Sequence, residues 1–316
     1  IVDVLSHADD GFLEARSLTK GGMILIDADE ASNLYKEMAP GIECSGGSAA
    51  NTMAGIAALG GNAAFIGKVH GDQLGEVFGH DIRAAGVEFL TMPATDGLAT
   101  ARCLILVTPD AQRTMNTFLG ASTQLGPDDI DSKQIERAQI TYLEGYLWDP
   151  ENAKNAFRRA TEIAHAKNRK IALTLSDAFC VDRHRAEFRE LTKVVDLVFA
   201  NEAEILSLYE VNNFEDALQA VRSDNTLLAL TRSEKGSVIL DGDNVHVINA
   251  TTAGPVVDTT GAGDLYAAGF LAGYTQGRSL RDCGQMGSIA AAEAISHFGA
   301  RPETDLKAMI DGQVSV

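Results

Sequence analysis

Cysteine, proline and tryptophan are scarce in this chain: four, seven and one in 316 residues. The cysteines, Cys44, Cys103, Cys180 and Cys283, lie far apart and form no Cys-x-x-Cys pair, so reduced, buried thiols in a cytoplasm are expected rather than a disulfide framework. The seven histidines form no His-Glu-x-x-His or other ligand spacing, and no zinc site follows from them. No Gly-x-Ser-x-Gly anchors a Ser-His-Asp hydrolase. Basic residues are few: 26 Lys and Arg against 44 Asp and Glu leave a formal net charge of −18. That balance disfavours nucleic acid and anionic membranes as partners. It does not disfavour a nucleotide, whose phosphates local amides and a divalent cation can hold. No apolar run reaches membrane-spanning length and no signal-peptide pattern opens the chain, so a cytoplasmic location is expected. Because the chain begins at Ile1 rather than Met, a few N-terminal residues are expected to be missing.

Apolar residues are plentiful. They make up 45% of the chain, enough to bury a large core as one big domain or as one plus a smaller appendage. From Thr141 onward, short apolar strands alternate with amphipathic helices. Strands are expected at Ile140–Leu143, Ile171–Leu175, Leu197–Phe199 and Leu227–Leu230, and helices at Pro150–Lys167, Arg183–Leu191, Glu202–Tyr209 and Phe214–Arg222. Strands apolar on both faces imply a parallel sheet covered by crossover helices. Helices over Ala49–Leu59 and Gln73–Ala85, with the strand Ala64–Ile66 between them, extend the pattern.

Two stretches depart from it. Met23–Ile26, Phe89–Met92, Arg102–Val107 and Arg113–Phe118 are β-rich and separated by Asp96-Gly97 and Pro109-Asp110 turns. Their Thr, Met and Asn content suits a sheet with one wet face. We assign them to a small β lid made of two insertions, 11–45 and 88–120. The main domain is then 1–10, 46–87 and 121–316. Edge strands of the main sheet are the alternative.

Asp258-Thr259-Thr260-Gly261-Ala262-Gly263-Asp264 runs straight into the apolar helix that begins at Leu265. A helix entered through Gly261, Ala262 and Gly263 leaves its first N–H groups unshielded, which with the dipole makes an anion site. Asp264 stands where an attracted anion would repel it. Amides that draw negative charge beside a carboxylate that can take a proton suit phosphoryl transfer. The dinucleotide fingerprint is not met, since Tyr266 occupies its third glycine position, and no phosphate-cradling P-loop lysine follows. Spacing alone leaves a structural turn equally open.

Gly46-Gly47-Ser48-Ala49-Ala50-Asn51 pairs glycines that admit a ligand close to the backbone with hydroxyl and amide groups that suit a sugar. Read alone, it is also an ordinary helix start. Asn201-Glu202-Ala203-Glu204 reads as an N-cap with acidic first-turn residues, and Thr231 to Gly236 as a hairpin turn. Arg113 is the basic residue of the lid whose guanidinium could reach a transferred phosphate; otherwise it is a solvated strand residue. Tyr146 and Trp148 read as core aromatics.

The full Asp258–Asp264 string resembles the C-terminal signature of the ribokinase-like (PfkB) carbohydrate and nucleoside kinases. Gly46–Asn51, continued by Gly67–Asp72 and Gly75, resembles their N-terminal signature. The resemblance covers almost the whole chain and is greatest to the adenosine kinases, through Ile1–Val4, Tyr142–Tyr146, Leu173–Phe179 and Asp196–Glu204. The family's first strand is cut short here. The resemblance implies a three-layer α/β ribokinase-like fold with a central, mostly parallel sheet and a β-sheet lid. It implies ATP and Mg²⁺ as cofactors and transfer of the γ-phosphate to a sugar hydroxyl, foremost the adenosine 5′-OH. A free sugar such as ribose or fructose, or inosine or guanosine, is the alternative acceptor, and a non-catalytic nucleoside-binding protein the remote one. By the same resemblance Asp264 is the base and Gly261, Ala262 and Gly263 the anion hole. Asp3, Gly46, Gly47, Ser48 and Asn51 hold the ribose, and Tyr146 lies near the purine. Thr231, Gly236, Thr260 and Arg113 contact the nucleotide, and Asn201 and Glu204 hold magnesium largely through water. A monomer or a homodimer is expected.

Overall fold

The computed structural model describes residues 1–224 and 226–314, in two compact units. The first comprises Ile1–Leu125, Thr252–Leu265 and Ala290–Met309; the second comprises Gly126–Thr251, Tyr266–Ile289 and the residues from Ile310 onward.

In the first unit the chain runs β1 (Val2–His7), α1 (Asp10–Ala15), β2 (Met23–Leu25), α2 (Ala28–Glu37), β3 (Ile42–Ser45), α3 (Ser48–Ala58), β4 (Ala63–Phe65), α4 (Gln73–Ala84), β5 (Val87–Phe89), β6 (Arg102–Val107) and β7 (Arg113–Phe118). Five strands form one sheet in the order β2-β7-β6-β1-β3, and β4 pairs with β5 in parallel. The Pro109-Asp110 turn joins β6 to β7 as expected, closed by the Thr108 N–H donating to the Gln112 carbonyl.

Three sequence expectations are corrected here. Val2–His7, expected with the main domain, is an interior strand of the sheet that holds β2, β3, β6 and β7. The expected strand Phe89–Met92 ends at Phe89 and pairs with β4 instead, because Phe89 packs with Phe65 and Phe78 at 5.9 and 5.3 Å between ring centroids. The sheet also has no wet face along its centre. Val4 and Leu104 pack with Ala31 and Leu34 of α2, while Leu5, Cys103 and Ile105 pack with Ile1, Met115 and Phe298. Helix α2 was not anticipated in a segment read as β. It is set by a capping box in which Asp27 accepts from the Glu30 N–H and Glu30 accepts from the Asp27 N–H.

The second unit carries α5 (Ser132–Arg137), β8 (Ile140–Glu144), α6 (Glu151–Ala166), β9 (Lys170–Thr174), α7 (Ala178–Leu191), β10 (Leu197–Asn201), α8 (Glu202–Tyr209), α9 (Phe214–Val221), β11 (Leu227–Thr231), β12 (Ser237–Asp241) and β13 (Asn244–Ile248). Its six-stranded sheet has the order β13-β12-β11-β10-β9-β8. Strands β8 to β11 are parallel, and the hairpin to β12 and β13 adds two antiparallel ones. The apolar runs of β9, β10 and β11 are buried, as strands covered on both faces must be. Three helices complete the chain: α10 (Ala262–Thr275), α11 (Leu280–Ala294) and α12 (Leu306–Asp311). No helix among the described residues is long and apolar enough to cross a membrane.

Candidate active site

Asp3 lies in β1, with Cys44 of β3 and Cys103 of β6 as its register partners on either side. It is 5% exposed, and the Gly47 N–H donates to its Oδ2 at 3.4 Å. A Cβ on Gly46 would stand 2.0 Å from the Asp3 carboxyl carbon, so the first glycine of the pair leaves room for the acid. Gly47 has φ +89°, which suits glycine, and caps α3 without a side chain. Burial pushes the Asp3 pKa up to about 6, against the pull of the N-terminal ammonium, the Gly47 N–H and the Arg301 charge, and the Asp264 charge adds to the rise.

Helix α3 reaches the second acid. The Asn51 Nδ2 donates to Asp264 Oδ2 at 2.9 Å, and the Ser48 hydroxyl also bonds the Asp264 side chain. Burial raises the Asp264 pKa; the bonds from Asn51 and Ser48 and the charges of Arg113 and Arg301 oppose that rise. Both sequence signatures therefore meet on one carboxylate.

The turn before α10 is built by a residue that sequence reasoning passed over. Asp258 is fully buried, and its Oδ1 accepts from the Thr260 N–H at 2.9 Å and the Thr260 hydroxyl at 2.7 Å. Its Oδ2 accepts from the Gly299 N–H at 2.9 Å. Thr260, expected at the nucleotide, is itself buried with its hydroxyl committed to Asp258, so it serves the turn. Gly261 has φ +78°, and a Cβ there would come 2.5 Å from Ala300 Cβ. The Gly261 carbonyl accepts the Leu265 N–H at 2.8 Å, which starts the helix. Gly263 is exposed, with open space where a Cβ would lie, so its amide can be approached.

Arg113 opens β7 on the sheet face that carries Asp3, since its partner Val107 and the Ile105–Met115 pair share that face with Leu5 and Cys103. Its Nη1 donates to the Met115 Sδ at 3.1 Å, and no carboxylate of the described residues pairs with it. It is a cation without a counterion, in electrostatic reach of Asp264.

The remaining predicted residues belong to the second unit. Asn201 and Thr231 are register partners at the carboxyl ends of β10 and β11, and Tyr146 follows the carboxyl end of β8. Ligands of open parallel sheets bind at those ends. Asn201 caps α8. Its Oδ1 accepts from the Glu204 N–H at 2.9 Å, while Glu204 Oε2 accepts from the Asn201 N–H at 3.0 Å and Oε1 from the Asn201 Nδ2 at 2.6 Å. With both carboxylate oxygens engaged in the cap, the pair fits magnesium only through water. Gly236, φ +79°, closes the β11–β12 hairpin, where a Cβ would meet the Ile248 carbonyl oxygen at 2.0 Å.

A sheet with a buried acid, a glycine pair, and a glycine-rich helix start beside a second acid fit a phosphotransferase of the ribokinase type. The match to pfkB family carbohydrate kinase over residues 26–306 places the chain plainly: it belongs to that family. It is similar to the solved adenosine kinase of Sinorhizobium meliloti, 52% identical over 98% of this chain and 95% of that one, with a TM-score of 0.94. It is similar also to a probable sugar kinase of Rhizobium etli, 51% identical over 97% and 94% of the two chains, TM-score 0.94. Among curated relatives, the adenosine kinase of Saccharomyces cerevisiae is 25% identical over 95% of this chain and 93% of its own. The chain is thus a sugar or nucleoside kinase, and its family implies ATP as donor.

Proposed function

We propose that the chain transfers the γ-phosphate of ATP to the 5′-OH of adenosine, giving AMP and ADP. The observation that carries this reading is the carboxylate of Asp264, held by Asn51 and Ser48 at a helix start where Gly263 is exposed. The Ala262 N–H there donates to the Thr259 carbonyl at 3.3 Å, so Gly261, Ala262 and Gly263 serve as the anion hole once that turn bond yields to phosphate. Asp264 takes the hydroxyl proton and the oxygen attacks the γ-phosphorus. The bond to the bridging oxygen of ADP breaks, and the helix amides stabilise the charge on the transferred group. A pKa raised by burial makes Asp264 a better base than an exposed aspartate.

Asp3 accepts from the ribose hydroxyls, and Gly46, Gly47, Ser48 and Asn51 complete the sugar site. The likeness to the solved adenosine kinase of Sinorhizobium meliloti favours a nucleoside over a free sugar. Arg113 pairs with the transferred phosphate. Thr231 and Gly236 hold the nucleotide, Tyr146 the purine, and Asn201 with Glu204 orients magnesium through water; bound magnesium neutralises phosphate charge. The five-stranded sheet is the lid whose closure keeps water from ATP. The protein works in a cytoplasm as a monomer or homodimer.

A second reading, a kinase for ribose, fructose, inosine or guanosine, draws on the likeness to the Rhizobium etli protein. ADP release measured across adenosine, inosine, guanosine, ribose and fructose separates the two; adenosine is expected to lead in kcat/KM, and a free sugar in first place overturns the proposal. Asp264→Asn is expected to bind adenosine normally and lose several orders of magnitude in kcat. Near-normal turnover in that variant rules out the general base.

A further inference from the structure

Arg301 belongs to neither signature, yet it holds the sugar-binding loop from both ends. Its Nη1 donates to the Ala50 carbonyl at 3.1 Å, and its Nη2 donates to the Ser45 hydroxyl at 2.8 Å and to the Ser45 carbonyl. Ser45 and Ala50 flank Gly46-Gly47-Ser48-Ala49, the segment that approaches Asp3 and begins the helix reaching Asp264. Ser45 is fixed on its other side: its N–H and hydroxyl donate to Asp81 Oδ2 at 2.7 and 2.5 Å.

No carboxylate of the described residues forms an ion pair with Arg301. A guanidinium desolvated by burial, yet satisfied only by carbonyls and a hydroxyl, is a poor stability device. Its charge acts at longer range. It faces Cys44 of β3, Asp81 of α4, Asp3 of β1 and Asp264 of α10, and it lowers the pKa of both Asp3 and Asp264. Asp3 also faces the N-terminal ammonium and Cys103 of β6, and Asp264 faces Arg113 of β7 and the neutral Asn51 and Ser48 of α3.

We propose that Arg301 is the positioning residue of the acceptor site: it clamps the Ser45–Ala50 loop onto the sugar and adds positive charge that favours the ionised forms of Asp3 and Asp264. The proposal rests on the acceptor-site reading above.

The test compares Arg301→Gln with Arg301→Lys. In Arg301→Gln, the KM for adenosine is expected to rise about tenfold or more with the KM for ATP within about twofold. The acid limb of the kcat/KM profile is expected to move to higher pH by about one unit. Arg301→Lys keeps the charge but cannot fork between Ser45 and Ala50, so it restores the limb and leaves the adenosine KM raised. A raised KM with an unmoved limb in Arg301→Gln, or full rescue of both by lysine, overturns the proposal.

Carboxyl ¹³C NMR titration of the ligand-free protein reads the charge effect without turnover. The Asp3 midpoint should rise in Arg301→Gln and stay in Arg301→Lys; an unchanged midpoint in Arg301→Gln sinks the electrostatic half. Should Arg301→Gln not fold, the same readings on Arg301→Lys decide, since an adenosine KM unchanged in that variant removes the clamp. A wild-type protein inert towards every acceptor would defeat the kinase reading while leaving the titration result standing.

Discussion

A methyl group on Gly46 would lie within 2.4 Å of three Asp3 carboxyl atoms, so the tolerance of this position measures how tightly the acid is packed. Gly46→Ala is expected to raise the adenosine KM at least about tenfold, as Asp3→Ala should, with little change in the KM for ATP. Steady-state kinetics in both substrates check this, and equal effects on the two would remove Asp3 from the sugar site.

Asp3 also gives the site a pH signature. Its folded pKa, about 6, exceeds the ordinary aspartate value of 3.8, so between those values the folded chain holds a proton that the unfolded chain has lost. Stability from this group is therefore full below about pH 4 and falls as pH rises to about 6. Ribose hydroxyls donate to the ionised form. Adenosine affinity should thus rise from pH 5 to 7, with proton release on binding near pH 6. Calorimetry in buffers of different ionisation enthalpy reads that release; none at pH 6 would place the ribose elsewhere.

Elements were legible wherever local physics set them. The strands Arg102–Val107 and Arg113–Phe118 stand where their pattern and the Pro109-Asp110 turn put them. Asn201 begins α8, as its N-cap chemistry required. Helix α7 is kinked at His184, φ −123°; the expected helix Arg183–Leu191 covers its second half, and the unexpected first half starts at Ala178, where Asp177 accepts from the Phe179 N–H. Helix α2 was missed although Asp27 and Glu30 carry a capping-box spacing that could have revealed it. At this scale Glu204 caps α8, and the proposed function gives it a second part as an outer magnesium ligand. Glu204→Ala is expected to cost about 1 kcal/mol of stability through the cap. It should also raise the Mg²⁺ concentration for half-maximal turnover several-fold. Thermal melts and a magnesium titration separate the two, and an unchanged magnesium requirement leaves the residue a cap alone.

At the scale of the molecule, −18 charges on 316 residues repel one another in the folded state more than in the expanded one. The melting temperature should therefore climb by a few degrees between low salt and about 0.5 M NaCl, as screening shortens to a few ångströms. A melting temperature indifferent to salt would show that the excess negative charge does not destabilise the folded state.

Chain order alone settled the alternation of strand and helix, the parallel β8–β11 core, the helix entered through Gly261–Gly263 and the kinase family, because each depends on neighbours close along the chain. Which sheet β1 and β5 joined, the burial of Thr260 behind Asp258, and the grip of Arg301 on Ser45 and Ala50 came only with folding. Those contacts join residues up to 256 positions apart, and no local pattern encodes a partner so distant.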